Sequence, residues 1–410
     1  MIPNKAGFLF SDLDIAGCLE RCLGAMVVEL DPDATYKMVG MSGLEQEICR
    51  LVEKHRINLL VYWTAGYDFR PRFLYDKLSH VFKVLMTGDD EYGFDNADRY
   101  YGQCFDLVLT HNPLNERYQI YGIDSKVFPS VYDSSIFCPG EQRPRDIPVS
   151  FIGTALNKTG REGAVRQLMD AGIEVQLYGP GSSAGVLPRD RVIDVYRRSC
   201  INLNFTGMGS YALDSEQTIV RRIRQVKGRC TKIALCGSFV LSEYAPGIEK
   251  WFHIGREIDV FNDESELLDK ARFYLTHEDV REKMATRAHA RALEDYDESK
   301  YWTSMGRMIE ERAAEKRHGR WRRLPLYVDR PFWAAYGAWR FKYLAIFFFM
   351  GKLGLFLEEL LLLIRAGRFN PTAAIWMGAA GLHTVRQSSK VADWIAVIAH
   401  KIRKLGRPGV

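Results

Sequence analysis

Ile57-Asn58-Leu59-Leu60-Val61-Tyr62-Trp63 is the first of four short apolar runs, followed by Phe82-Lys83-Val84-Leu85-Met86, Phe105-Asp106-Leu107-Val108-Leu109-Thr110 and Lys126-Val127-Phe128-Pro129-Ser130-Val131. The segments around them read as helices: Leu44–Lys54 before the first run, a helix from Pro71 after it, and Leu114–Tyr121 before the last. A short, nearly unbroken apolar run is the pattern of a strand buried on both faces, and parallel strands require crossover helices to connect them. The first part of the chain is therefore expected to be α/β, a parallel sheet covered on both sides.

Working outward, Cys138-Pro139-Gly140-Glu141-Gln142-Arg143-Pro144-Arg145-Asp146 is polar and aperiodic, as interdomain linkers are. A second α/β series follows, with strands expected at Val149–Gly153, Val175–Tyr178, Ile201–Phe205, Ser238–Leu241 and Ile258–Phe261, and a helical finish from Glu264 to Glu315. The expected division is an N-terminal domain over 1–140, a second domain over 141–315 and a tail over 316–410. Two tandem doubly wound domains leave a cleft, and ligands of open parallel sheets bind beyond the carboxyl ends of the strands.

The chain has 410 residues, 47% of them hydrophobic and 26% charged, enough for two cores and an appendage. Its start, MIPNKAGFLFSDLD, lacks the apolar stretch and cleavage pattern of a signal peptide, so a cytoplasmic location is expected. Eight cysteines are scattered without Cys-x-x-Cys pairs, which argues for reduced thiols rather than a zinc site or disulfide framework. Cys18 and Cys22 would share a helix face with Ile15, Leu19 and Leu23, an ordinary core stripe. The formal net charge of +5 conceals an asymmetry: residues 316–410 hold 17 Lys and Arg against 4 Asp and Glu. A mildly acidic body thus carries a basic tail, and the two suit different partners.

Gly153-Thr154-Ala155-Leu156-Asn157-Lys158-Thr159-Gly160-Arg161 follows a strand and opens a helix, where backbone N–H groups and the helix dipole favour a phosphate and Lys158 and Arg161 can neutralise it. Gly179-Pro180-Gly181-Ser182-Ser183-Ala184-Gly185 also follows a strand. The next strand, Ile201-Asn202-Leu203-Asn204-Phe205, lacks the terminal acid that grips a ribose diol, which disfavours a nicotinamide enzyme. Gln225-Val226-Lys227-Gly228-Arg229 aims two more cations at a helix start.

The stretch continues as Lys227-Gly228-Arg229-Cys230-Thr231-Lys232-Ile233-Ala234-Leu235-Cys236-Gly237, then Glu243-Tyr244-Ala245-Pro246-Gly247-Ile248-Glu249, Gly255-Arg256-Glu257 and Tyr274-Leu275-Thr276-His277. With Gly88-Asp89-Asp90-Glu91-Tyr92-Gly93-Phe94-Asp95 and Phe105–Thr110 of the first domain, it resembles the group-1, spore-maturation (CgeB-like) branch of the GT-B glycosyltransferases over roughly residues 55–300. The resemblance implies two Rossmann-like domains. It implies a nucleotide-diphosphate sugar donor on the second, an acceptor on the first, and transfer without a required metal or other cofactor. On that basis Gly153, Thr154, Lys158, Arg161, Tyr178, Gly179 and Lys232 are candidate donor-binding residues, and Lys158, Arg161, Lys227 and Arg229 would stabilise the departing diphosphate. Arg229, Lys227, Glu243 and His111 form the candidate catalytic set, with Asp89, Asp90 and Glu91 toward the acceptor.

This chain departs from the family pattern where relatives carry a Glu, for Lys232 stands there and Val240 replaces its usual acidic partner. Glu243, at the end of the Ser238–Leu241 strand, is the better acidic candidate. Either the donor is gripped differently or the protein is a degenerate scaffold that binds nucleotide or glycan and recruits partners. The acidic clusters at Asp12-Leu13-Asp14 and Asp89–Asp95 have no further ligand set, so capping or acceptor binding is favoured over a metal.

In the tail, Trp321–Arg340 interleaves arginines with tryptophan, tyrosine and phenylalanine, a composition suited to a lipid headgroup layer. Tyr343–Met350 and Leu353–Ile364 are intensely apolar but broken by Lys352, Glu358 and Glu359, short of the ~20 residues a spanning helix needs. In-plane or re-entrant helices are expected, with another amphipathic segment over Ser388–Lys404; the alternative is an apolar surface that packs on the enzyme body or forms a dimer interface. The expected partners are an anionic membrane, a lipid-linked or cell-envelope glycan and possible further copies of the chain. Nucleic acid is disfavoured, because the Leu/Phe-rich tail does not suit a phosphate-tracking groove.

Overall fold

The computed structural model of the chain describes residues 15–63, 66–88, 90–141, 144–154, 161–207, 223–319 and 324–388. Asp89, Lys158 and the expected amphipathic segment beyond residue 388 lie outside the described residues.

Two parallel sheets form the body. The first holds β1 (Leu59–Trp63), β2 (Phe82–Thr87), β3 (Leu107–Thr110) and β4 (Ser125–Val127) in sequential order, with Leu59 opposite Phe82 and Val84 opposite Leu107. Every residue of β2 and β3 is buried, the physical reason their sequences are nearly unbroken apolar runs. The second sheet holds β5 (Ile147–Ile152), β6 (Val175–Tyr178), β7 (Ser199–Asn204), β8 (Val240–Glu243) and β9 (Asp259–Phe261) in the order β6-β5-β7-β8-β9. The order reverses between β5 and β7, so the crevice of this domain opens at the carboxyl ends of those two strands.

Helices α1 (Ile15–Leu23) and α2 (Pro32–His55) precede the first sheet, and short helices α3 (Asp90–Gly93), α4 (Arg99–Gly102) and α5 (Glu116–Ile120) lie among its strands. In the second domain come α6 (Arg161–Asp170), α7 (Arg189–Arg198), α8 (Arg229–Leu235), α9 (Glu264–Thr276) and α10 (Glu278–Asp295). The helical finish expected as one series is divided, and its last member, α11 (Glu298–Arg317), leaves the second domain. Asp297 caps α11 by accepting from the Lys300 N–H at 3.0 Å, and Trp302, Met305 and Ile309 then pack with Val61, Val84, Met86 and Leu107 of the first sheet. The apolar stripe of α11 is plain in the sequence, but a stripe does not say which sheet it covers.

The tail forms α12 (Arg330–Phe349), α13 (Leu353–Ala366) and α14 (Pro371–Ser388). Phe332, Tyr336, Tyr343, Ile346 and Phe347 of α12 share one core with Tyr36, Leu44, Leu60 and Leu85, so these helices complete the first domain. Arg340 and Glu359 pair at 3.4 Å with no side-chain exposure on either, while Arg340 also donates to the Tyr36 hydroxyl and the Tyr67 carbonyl. Among the described residues, no helix is long and apolar enough to cross a membrane.

Candidate active site

The switch point of the second sheet gathers the candidate donor residues. Gly153, just past β5, has φ 155°, and a Cβ there would lie 2.6 Å from Nη2 of Arg229. Gly179, past β6, has φ 124°, and its Cβ would lie 2.6 Å from the Gly153 carbonyl oxygen. The two glycines therefore let three segments close on one another without side chains between them.

Arg161 and Arg229, the first residues of α6 and α8, meet over one ring: their guanidinium carbons lie 5.9 and 4.9 Å from the centroid of Phe151. Arg161 is buried and donates to the Thr154 carbonyl at 2.9 Å and the Gly207 carbonyl at 2.6 Å. Arg229 donates to Oδ1 of Asn204 at 2.6 Å. All three acceptors are neutral, and among the described residues neither arginine forms an ion pair. Burial, and then the charge of Arg229, push Arg161 down to about 10, an effect that Glu243 partly opposes. A buried cation on which another cation acts more strongly than the nearby Glu243 carboxylate is electrostatically short of an anion.

Glu243, the last residue of β8, braces this crevice. Its Oε2 accepts from the Thr206 N–H at 2.8 Å, the Thr206 hydroxyl at 3.0 Å and the Gly207 N–H at 3.0 Å, and its Oε1 pairs with Nε of Arg224 at 2.8 Å. Tyr178 is half-buried, its hydroxyl donating to Oε1 of Gln176 at 2.7 Å. Lys232 holds its ammonium 4.7 Å from the Tyr132 ring centroid and 5.5 Å from that of Phe137. The two cations of α8 thus face different rings, and Lys232 is not brought onto the Phe151 platform.

Across the cleft, Nε2 of Gln225 donates to the Gly88 carbonyl and to Oε2 of Glu91, both at 2.8 Å, and Lys227 donates to Oε1 of the same glutamine. Desolvation and the Asp90 carboxylate push Glu91 up to about 8, with Lys227 and Arg117 opposing. Asp90, expected beside an acceptor, is enclosed: it accepts from Thr110 at 2.6 Å and Tyr118 at 2.9 Å, and lies 2.8 Å from Arg117. It ties the exits of β2 and β3 together, and Glu91 is the acid of this pair that reaches the second domain.

His111 follows β3 and is buried edge-on against Trp251 of the second domain, ring centroids 5.0 Å apart. Its Nδ1 lies 3.1 Å from the Phe128 carbonyl oxygen and 3.0 Å from the Ser130 hydroxyl. A carbonyl only accepts, so Nδ1 carries the proton and the basic lone pair of the neutral ring sits on Nε2. Ser130, with φ 53°, also takes a 2.9 Å hydrogen bond from the Thr231 hydroxyl onto its carbonyl, joining the histidine to α8. Sequence reasoning passed over Phe151, Asn204 and Trp251 as site residues. The first two sit at strand ends facing the crevice, the one signal that marks them.

Among the described residues, no group of three or more His, Cys, Asp or Glu side chains is arranged to hold a metal. Residues 161–305 match the family model described as glycosyl transferase-like, a match that begins at the buried Arg161 and spans most of the second domain. Among solved structures, sucrose-phosphate synthase from Thermosynechococcus elongatus is similar with 12% identity and a TM-score of 0.52, over 71% of this chain and 82% of that one. A glycosyltransferase from Rickettsia africae ESF-5 is similar with 9% identity and a TM-score of 0.52, over 73% of this chain and 88% of that one. No curated protein matches by sequence. At such identities the structural likeness is one of fold, and the fold taken with the sequence match of the second domain makes this chain a glycosyltransferase of GT-B architecture.

Proposed function

We propose that the chain moves a sugar from a nucleoside-diphosphate sugar to a lipid-linked or cell-envelope glycan at a membrane surface, as a member of the spore-maturation-like branch. The observation that carries the reading is the pair of guanidiniums over Phe151, which have only neutral partners among the described residues and so suit a diphosphate. In the reaction the bond between the anomeric carbon and the diphosphate oxygen breaks, and the diphosphate leaves with the electron pair. The acceptor oxygen bonds that carbon and its hydroxyl proton is released. Arg161 and Arg229 lie where charge on the leaving group would develop, and preorganised cations in a low-dielectric crevice stabilise that charge without a metal. His111, with its lone pair on Nε2, is suited to accept a hydrogen bond from the acceptor hydroxyl. The proposed address is the inner face of the cytoplasmic membrane, supported by the excess of 17 cationic over 4 acidic residues in 316–410.

Incubating the protein with each nucleotide sugar and a membrane lipid extract, with and without a chelator, tests this. Release of one nucleoside diphosphate with a glycosylated lipid product, unaffected by the chelator, is the expected result. Lys232, which places a cation where the resembling family carries a Glu, favours a second reading: a scaffold that binds nucleotide without turnover. Tight nucleotide binding with no product from any donor would select it.

A further inference from the structure

Helix α13 is apolar on both faces: Leu362 and Ala366 enter the first-domain core, with Leu355 and Phe356 against it, and a second apolar stripe faces outward. Its two acids face the protein: Glu359 is buried against Arg340, and Oε1 of Glu358 accepts from the Ser42 N–H at 2.8 Å. Four of its apolar side chains face out. Leu353, Leu357, Leu361 and Ile364 recur at helical spacing and are 68%, 50%, 54% and 64% exposed. The patch extends to Phe348 and Met350 at the end of α12 and to Met38 of α2, whose carbonyl, with that of Lys37, accepts from Lys352. A contiguous apolar surface of this kind is rare on a monomer in water.

The charges around the stripe identify its occupant. Arg365 and Arg368 stand exposed at the C-terminal end of α13 and Lys352 lies at its start, while the inward turn of Glu358 and Glu359 leaves α13 with no outward acid. A second copy docked through the same patch about a two-fold axis would set these cations against themselves. An anionic bilayer offers acyl chains to the leucines and phosphates to the cations. At 14 residues α13 is roughly 21 Å long, too short to span, so it would lie in the plane.

We propose that the outward stripe Leu353–Leu357–Leu361–Ile364, flanked by Lys352, Arg365 and Arg368, is an in-plane docking surface for an anionic lipid bilayer, on the domain expected to hold the acceptor. It gives the membrane part of the proposed function a location, and its test does not depend on turnover. Full-length protein is floated with vesicles of phosphatidylcholine alone or with added phosphatidylglycerol, and compared with Leu357→Glu/Leu361→Glu. Both sites are exposed, so the variant should keep its thermal midpoint and any thermal shift with nucleotide. The expected result is flotation with the anionic vesicles only and at least ~tenfold weaker partitioning of the variant. Flotation of the variant equal to wild type would overturn the proposal by moving lipid binding elsewhere. A wild type that does not float, and whose dimer in solution is dissolved by the variant, would overturn it in favour of a contact between copies. Either failure leaves the sugar-transfer reading standing, since the variant retains the guanidinium pair.

Discussion

Arg161 and Arg340 are both buried arginines, one in each domain, and their surroundings are opposite. Arg340 has Glu359 beside it, the Tyr36 hydroxyl and the Tyr67 carbonyl on its nitrogens, and a pKa that burial lowers but Tyr36 and Glu359 together raise above the ordinary value. Arg161 has two carbonyls, no ion-pair partner among the described residues, a second guanidinium sharing its ring, and a pKa pushed down to about 10. A buried cation that is neutralised internally holds two elements together, as Arg340 joins α12 to α13 and the first domain. A buried cation left without its anion is one the fold sustains at a cost, and the cost is recovered when an anionic ligand arrives.

The comparison breaks if Arg340 and the crevice pair, probed through Arg229, respond alike to substitution. The largest effect is expected at Arg340→Met, which leaves Glu359 buried without its partner and should lower stability by about 3–5 kcal/mol in a denaturant titration. The double variant Arg340→Met/Glu359→Leu should recover most of that loss. Next, Arg229→Ala should lower kcat by about 10²–10³ while the thermal midpoint barely moves, because the half-buried Arg229 gives up one hydrogen bond and relieves Arg161 of repulsion. An Arg229→Ala protein as unstable as the Arg340→Met protein would mean that the crevice arginines are structural as well.

A smaller effect lies in the pH dependence of the cleft. Glu91 holds its proton up to about 8 in the folded protein, whereas an unfolded glutamate loses it near ~4.3. Between those values the folded state binds more protons than the unfolded one, so this group's contribution makes stability fall as pH rises toward 8. In Glu91→Gln, which keeps an acceptor for Gln225, that part of the slope should vanish and the variant should be the more stable protein at pH 8. Thermal midpoints of both proteins across the range check this. A slope that persists unchanged would remove Glu91 as its source.

The same contrast explains what the sequence could and could not convey. The strands were legible because burial on both faces writes itself as unbroken apolar runs, and β2, β3 and β6 lie within two residues of expectation. The cations at Arg161 and Arg229 were legible because they open helices after strands. The return of α11 to the first sheet was not, because Trp302, Met305 and Ile309 would suit either core. Nor was the division of labour between Asp90 and Glu91, adjacent acids that part only because Arg117, Thr110 and Tyr118 converge on the first. In the tail, Glu358 and Glu359 look in sequence like interruptions of an apolar helix. In the fold they face inward to Ser42 and Arg340, and Leu357 and Leu361 beside them face out.

The most direct test of the central claim, that the guanidinium pair over Phe151 is a diphosphate site, is a thermal-shift panel. Uridine, guanosine, adenosine, cytidine and thymidine diphosphates would be applied to wild type and to Arg229→Ala. A ligand that binds only the folded state stabilises it by about 2.7 kcal/mol at a hundredfold excess over its Kd. The account predicts a clear rise in midpoint with one diphosphate and its loss in the variant; a rise of equal size in both proteins, or none with any diphosphate, would contradict it.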